Sequence, residues 1–170
     1  IIKKSNLNSV RIFIQYHDFG KAKVLPKKKK KLKILLDLAQ SKKLEVIVTL
    51  FDFYSDYSLD SWTLTHRHAE QIVNTFKDHK AIIAWDLKNE PNLDFENRGK
   101  ENVLSWLEHI ATVIKENDPN HLITIGWSNS LEATNLAKQM DFISYHFYND
   151  NTHLEYETNT LMKSTNKPVV

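Results

Sequence analysis

Cysteine is missing from this 170-residue chain, and with it go disulfides, thiolate nucleophiles and Cys-ligated zinc. The redox compartment stays open, because a domain of this length buries enough surface to fold without staples. Glycine and proline are scarce, at 3 and 4 residues, which excludes collagen-like and linker-rich organisations. No unbroken apolar stretch approaches the roughly 18 residues of a membrane-spanning helix. A formal net charge of +2 implies no chain-wide field for nucleic acid. What remains, 41% hydrophobic and 26% charged, is the composition of one globular domain over residues 1–170. Ile1 opens without Met or a charged-then-apolar leader, and Lys167-Pro168-Val169-Val170 closes where a strand would begin. Both ends read as the edges of a piece cut from a longer chain.

Short apolar runs alternate with helical stripes along the whole sequence. The strand candidates are Val10 to Tyr16, Glu45 to Phe51, Ala81 to Leu87, His121 to Gly126, Asp141 to Phe147 and a start at Pro168, each rich in Ile, Val and aromatics. Between them, Pro26 to Lys43 carries Leu32, Leu35, Leu36 and Ala39 on one face, with Pro26 suited to a first helical turn. Ser61 to His79 repeats the pattern with Ala69, Ile72, Val73 and Phe76, and Lys100 to Asn117 repeats it with Val103, Trp106, Leu107, Ile110, Val113 and Ile114. Shorter helices are expected near Ser130 to Lys138 and Leu154 to Lys163. Such β-α alternation means a parallel sheet. The turn after the first strand, Tyr16-His17-Asp18-Phe19-Gly20-Lys21, has no G-x-G-x-x-G or P-loop pattern, so a phosphate-cradling wound sheet is disfavoured. The alternative is a (β/α)8 TIM barrel, which takes about 250 residues and eight strands; this chain would supply only part of one.

The most specific feature is Ala84-Trp85-Asp86-Leu87-Lys88-Asn89-Glu90-Pro91, an apolar strand running into Asn-Glu-Pro. At a barrel's C-terminal rim, low-dielectric walls would raise the pKa of Glu90 and suit it to donate a proton. Pro91 should hold Glu90 extended, and Asn89 can donate to a substrate hydroxyl. The bland alternative is a strand-terminating turn with a solvated Glu. Period-two alternation puts Phe142, Ser144, His146 and Tyr148 on one face, with Ile143, Tyr145 and Phe147 on the other. His146 and Tyr148 then suit the orienting of a carboxylate nucleophile, against the plainer reading of a satisfied buried pair. Arg11 faces inward with Phe13 and Gln15, and an interior guanidinium calls for a buried acid nearby, in this chain or beyond it.

Val10-Arg11, Asn89-Glu90-Pro91 and His146-Phe147-Tyr148, in this order on successive strands, resemble the clan A glycoside hydrolases, especially glycoside hydrolase family 5, over almost the whole chain. The resemblance implies that Glu90 is the acid/base, Asn89 binds substrate, Arg11 supports the nucleophile, and His146 and Tyr148 are the pair on the family's sixth strand. It numbers the strands here two to six, with Lys167 to Val170 opening strand seven, whose far end carries the nucleophilic Glu beyond Val170. One departure is Leu50-Phe51-Asp52-Phe53-Tyr54, where many family endoglucanases place a His and Phe51 is the closest match. Mannan, mixed-linkage glucan or a smaller glycoside are thus equally open substrates. The implied chemistry is retaining hydrolysis by two carboxyl groups about 5 to 5.5 Å apart, with no metal or organic cofactor. Phe53, Tyr54, Tyr57, Trp62, Trp127 and Tyr148 are candidate sugar platforms, Trp127 the best placed; Trp85 and Trp106 read as core.

Other signals carry less. Lys27 to Lys31 is read as a solvated helix start and not as a nucleic-acid patch. His66 and His68 stand two apart on a helix, where paired ligands want three or four, and no H-E-x-x-H occurs. Asp52, Asp56 and Asp60 lack the spacing of a calcium loop. Two classes of function compete: part of a retaining glycosidase, or a non-catalytic carbohydrate-binding or scaffold barrel, separated by whether a Glu follows strand seven. A different barrel enzyme is a third, because fold alone does not fix function. The 170 residues alone are expected to expose strand edges and to be inactive without the remaining barrel strands. The family resemblance implies a secreted or cell-surface protein acting on a carbohydrate polymer.

Overall fold

The computed structural model describes residues 2–170; Ile1 lies outside the described residues. Five parallel strands form one sheet: β1 (Ser9–Gln15), β2 (Glu45–Asp52), β3 (Ile82–Asn89), β4 (Leu122–Trp127) and β5 (Ser144–Tyr145). They lie side by side in chain order, β1-β2-β3-β4-β5. A wound nucleotide-binding sheet reverses its strand order partway, whereas a barrel advances in one direction. Between the strands run α1 (Pro26–Ser41), α2 (Leu59–Phe76), the single turn α3 (Phe95–Arg98) and α4 (Lys100–Asn117), and α5 (Asn151–Ser164) follows β5. Beyond α5 the chain returns to the sheet edge. Ile143 pairs in parallel with Val169, and Val170 N–H donates to the Ile143 carbonyl at 2.8 Å, so a further strand starts at the position the apolar run at Pro168 marks.

The helical stripes account for the packing. Val103, Trp106, Leu107, Ile110, Val113 and Ile114 of α4 are all buried, as are Ala69, Ile72, Val73 and Phe76 of α2. Fully burying each large apolar side chain contributes roughly 1.5–3 kcal/mol. On α1 the buried face is Leu32, Leu36 and Ala39, whereas Leu35, expected on that face, stays exposed with Ile34 and Leu38. Pro26 occupies the first turn of α1, and the lysines after it are solvated; Lys28 pairs with Asp18 at 3.2 Å.

Two expected elements change form. Ser130 to Lys138 is no α-helix but a 3₁₀ turn at Glu132–Thr134. Asparagine side chains compete with the helical pattern there: Asn129 Oδ1 accepts from Glu132 N–H at 3.0 Å, and Asn135 Nδ2 donates to the Glu132 carbonyl at 2.7 Å. The strand expected over Asp141 to Phe147 forms regular ladder only at Ser144–Tyr145. At its start the Asp141 carboxylate takes the Ile123 N–H at 2.8 Å, replacing a ladder bond, and also binds Lys115.

Candidate active site

Side chains of β2, of β3 and of the chain just past β5 converge on Arg11 of β1. Its Nε donates to Asp86 Oδ2 at 2.8 Å and to Thr49 Oγ1 at 3.0 Å, its Nη2 closes on the same Asp86 oxygen, and Nη2 reaches Asn89 Oδ1 at 3.2 Å. Asp86, completely buried, also accepts from Thr49 Oγ1 at 2.6 Å and from Gly126 N–H at 2.9 Å. This is the interior acid that Arg11 called for, and it belongs to this chain. A buried carboxylate whose two oxygens both accept hydrogen bonds, one of them from its cationic partner, is the form in which such a charge survives desolvation. Gly126 makes room for it, since a Cβ there would stand 2.2 Å from Arg11 Nη2.

The far side of the guanidinium meets His146. Arg11 Nη1 lies 2.6 Å from His146 Nε2, and because arginine only donates, Nε2 must accept and the ring proton sits on Nδ1. That Nδ1 faces Glu90 Oε1 at 2.6 Å, and Tyr148 Oη donates to the same oxygen at 2.8 Å. His146 and Tyr148 therefore both hold Glu90, a carboxylate of this chain.

Two expectations about Glu90 change. Its backbone is left-handed, with φ 48° and ψ 50°. Pro91 disfavours the right-handed helical region for the residue before it, and the chain takes the left-handed well in place of the extended one because Glu90 N–H donates to the Gly126 carbonyl at 2.6 Å. Its pKa is lowered, not raised. Burial pushes it up, but the hydrogen bonds from His146 and Tyr148 and the positive charge of Arg11 outweigh that push. Asn89 accepts from Arg11 through Oδ1, which leaves its NH₂ as the donor side of the amide.

The structure thus brings Arg11, Asn89, Glu90, His146 and Tyr148 together. Trp127 is a correction: it is 1% exposed with Phe95 against it, and a ring with no open face cannot stack on a sugar. It points to the helix-covered side of β4 because Gly126, its neighbour, points inward. Tyr54 and Tyr57 are likewise buried, while Phe53 and Tyr148 are open to solvent. Phe51 lies fully inside the core, with Trp106 edge-on to it at 5.0 Å. Asp86, Thr49, Gly126 and Lys88 were not singled out from sequence. Asp86 is the one acid inside the apolar run of β3, and it reaches the same guanidinium as Asn89 because the register of β3 against β4 shifts between the two.

His66 and His68 diverge. His68 is buried, its Nδ1 2.8 Å from the Lys21 carbonyl, and its pKa is pushed down to about 4 by burial; His66 packs by His109. Among the described residues no three His, Asp or Glu side chains are grouped to hold a metal ion, and no helix is long and apolar enough to cross a membrane.

Known proteins share parts of this sequence and its fold. Mannan endo-1,4-beta-mannosidase 8 of Oryza sativa subsp. japonica is 35% identical over 81 residues, 44% of this chain and 22% of that protein. Mannan endo-1,4-beta-mannosidase 3 of Solanum lycopersicum is 27% identical over 113 residues, 58% of this chain and 28% of the relative. The chain thus spans only a minor part of the curated relatives it matches. Among solved structures, the endo-1,4-beta-mannanase of Rhizomucor miehei superposes with a TM-score of 0.80 at 16% identity, covering 99% of this chain and 69% of that one. Thermotoga maritima Cel5A, solved with mannotriose, gives 0.74 at 19% identity over 99% and 68%. These likenesses show the fold, part of a (β/α)8 barrel. The profile of the family described as Cellulase (glycosyl hydrolase family 5) matches residues 1–168, and the chain belongs to that family.

Proposed function

We propose that the protein is a retaining O-glycoside hydrolase acting on a β-linked polysaccharide, with β-mannan the first substrate class to test and β-glucan the second. The observation that carries this reading is Glu90 Oε1, held at 2.6 Å by His146 and 2.8 Å by Tyr148 at the rim of a barrel where such enzymes keep their chemistry. The mannosidase names of the relatives favour mannan.

In this mechanism a second carboxylate, contributed by a Glu beyond Val170, attacks the anomeric carbon while Glu90 protonates the departing oxygen. Glu90, now a carboxylate, takes a proton from water, and the hydroxide formed breaks the glycosyl-enzyme bond and frees the nucleophile. The His146 and Tyr148 bonds, which lower the Glu90 pKa, suit the second half of this cycle. For the first half the nucleophile's negative charge, about 5 to 5.5 Å away, raises the Glu90 pKa again. Arg11, neutralised by Asp86, presents His146 in the tautomer that donates to Glu90. A polymer substrate outside the cell makes the protein secreted or surface-displayed.

The test uses the full-length protein on β-1,4-mannan and β-1,4-glucan. Hydrolysis whose first product keeps the β configuration, lost in Glu90→Gln, is expected. Inverted product, or full activity in Glu90→Gln, overturns the reading.

A further inference from the structure

Glu90 keeps a left-handed backbone that a side-chain-bearing residue holds only where its surroundings enforce it. Part of the enforcement is local: its N–H donates to Gly126 and its carbonyl accepts from Leu93 N–H at 3.2 Å. The turn that follows, Pro91–Asp94, is tied at its middle to the end of β4, where Asn92 Oδ1 accepts from Ser128 N–H at 3.0 Å. Two points remain to be held, the Asn89 carbonyl just before Glu90 and Asp94 at the end of the turn. One side chain holds both. Lys88 Nζ donates to the Asn89 carbonyl at 3.1 Å and pairs with Asp94 Oδ2 at 3.4 Å. The Tyr57 hydroxyl donates to the same Asp94 oxygen.

Lys88 is only 3% exposed, and an ammonium this deep carries a desolvation cost that an apolar side chain of equal length would not. Burial pushes its pKa down, opposed by Asp94, Asp52 and Asp86. Those acids come from three elements, the turn after β3, the end of β2 and the interior of β3, and all face the same cation. Lys88 and Glu90 also line one opening of about 280 Å³ with Phe53, Leu93 and Asp94. The ammonium is thus placed beside the acid/base without touching its carboxyl.

We infer that Lys88 is a positioning residue for Glu90, clamping the Asn89 carbonyl to Asp94 so that the left-handed turn aims the Glu90 carboxyl at the glycosidic oxygen. The inference rests on the reading of Glu90 as acid/base. If the clamp acts through Glu90, its loss impairs proton donation and spares substrates whose leaving group needs no proton.

The experiment compares kcat/KM of the full-length protein on mannohexaose and on 2,4-dinitrophenyl β-mannobioside. Lys88→Met is expected to lower the value for mannohexaose by about 10- to 100-fold, the cost of misplacing a reacting group by an ångström or less, and to leave that for the aryl glycoside within about threefold. Equal losses on both substrates, or no loss on mannohexaose, overturn the inference. Should Lys88→Met fail to fold, Asp94→Asn opens the same clamp from its other end, with the same split expected and its absence equally fatal. Glu90→Gln, measured beside them, separates the two ideas. A split there without one in the clamp variants removes the role of Lys88 alone, whereas its absence in Glu90→Gln removes the acid/base assignment and the clamp with it.

Discussion

His146 is wedged between Arg11 and Glu90, its Nε2 2.6 Å from the guanidinium and its Nδ1 2.6 Å from the carboxylate. One ring therefore passes the orientation of the buried Arg11–Asp86 pair to the exposed rim. Because arginine cannot accept, the tautomer is decided two residues away from the carboxylate it serves.

Removing either donor should raise the Glu90 pKa. Its carboxyl is held low by His146 and Tyr148 against the opposing effect of burial, so Tyr148→Phe moves it upward, as does His146→Ala. A carboxyl with a lowered folded pKa lends stability that is present above its unfolded value, near 4.5, and is lost as pH falls through the folded one. Tyr148→Phe should therefore lessen stability at neutral pH and leave it unchanged at a pH below both values. Carbon-13 NMR of the Glu90 carboxyl follows the first effect, and urea midpoints at both pH values follow the second.

Asp86 should be among the costliest single truncations. It is fully buried and accepts from Arg11, Thr49 and Gly126, so Asp86→Ala strands a guanidinium in the interior. Breaking one partner of such a pair costs about 3–5 kcal/mol. The shift of the urea midpoint measures it. Replacing Arg11 and Asp86 together with apolar residues should recover part of the loss, because no unpaired charge is then left behind.

The alternation of strand and helix was legible because its stripes are long: the stripe of Lys100–Asn117 coincides with α4 residue for residue. The site was legible where a residue type states its own need. An inward Arg11 demands an acid, and Asn-Glu-Pro ends a strand. What was hidden depends on contacts between strands far apart in sequence. The left-handed state of Glu90 follows from a bond to Gly126, and the burial of Trp127 follows from Gly126 taking the inward position. The Asn129 and Asn135 side-chain bonds that break a helix over Ser130 to Lys138 are local, yet apolar spacing alone does not register them.

Gly126 should tolerate no side chain. An added Cβ would stand 2.2 Å from Arg11 Nη2 and 2.9 Å from Cζ, so Gly126→Ala must push the guanidinium off Asp86 or off His146. Overpacking of this kind costs about 1–3 kcal/mol in stability. Activity should fall further than stability, by about 100-fold in kcat/KM, because the displaced Arg11 releases His146 and with it the aim of Glu90. Thermal unfolding beside kinetics in the full-length protein tests this, and near-normal turnover in Gly126→Ala would remove Arg11 from the positioning of the site.

Trp127 should behave as core, not as a sugar platform. It is 1% exposed with Phe95 beside it, so Trp127→Ala leaves a cavity and costs about 3–5 kcal/mol. Trp127→Phe keeps most of the buried apolar surface and should cost less. The distinguishing measurement is KM on mannohexaose in Trp127→Phe, which retains the fold: a stacking platform would raise KM when its indole is replaced, whereas a buried ring leaves KM unchanged and lowers only the unfolding midpoint. Tyr148, exposed at the rim and bonded to Glu90, is the aromatic whose replacement should be felt by the substrate.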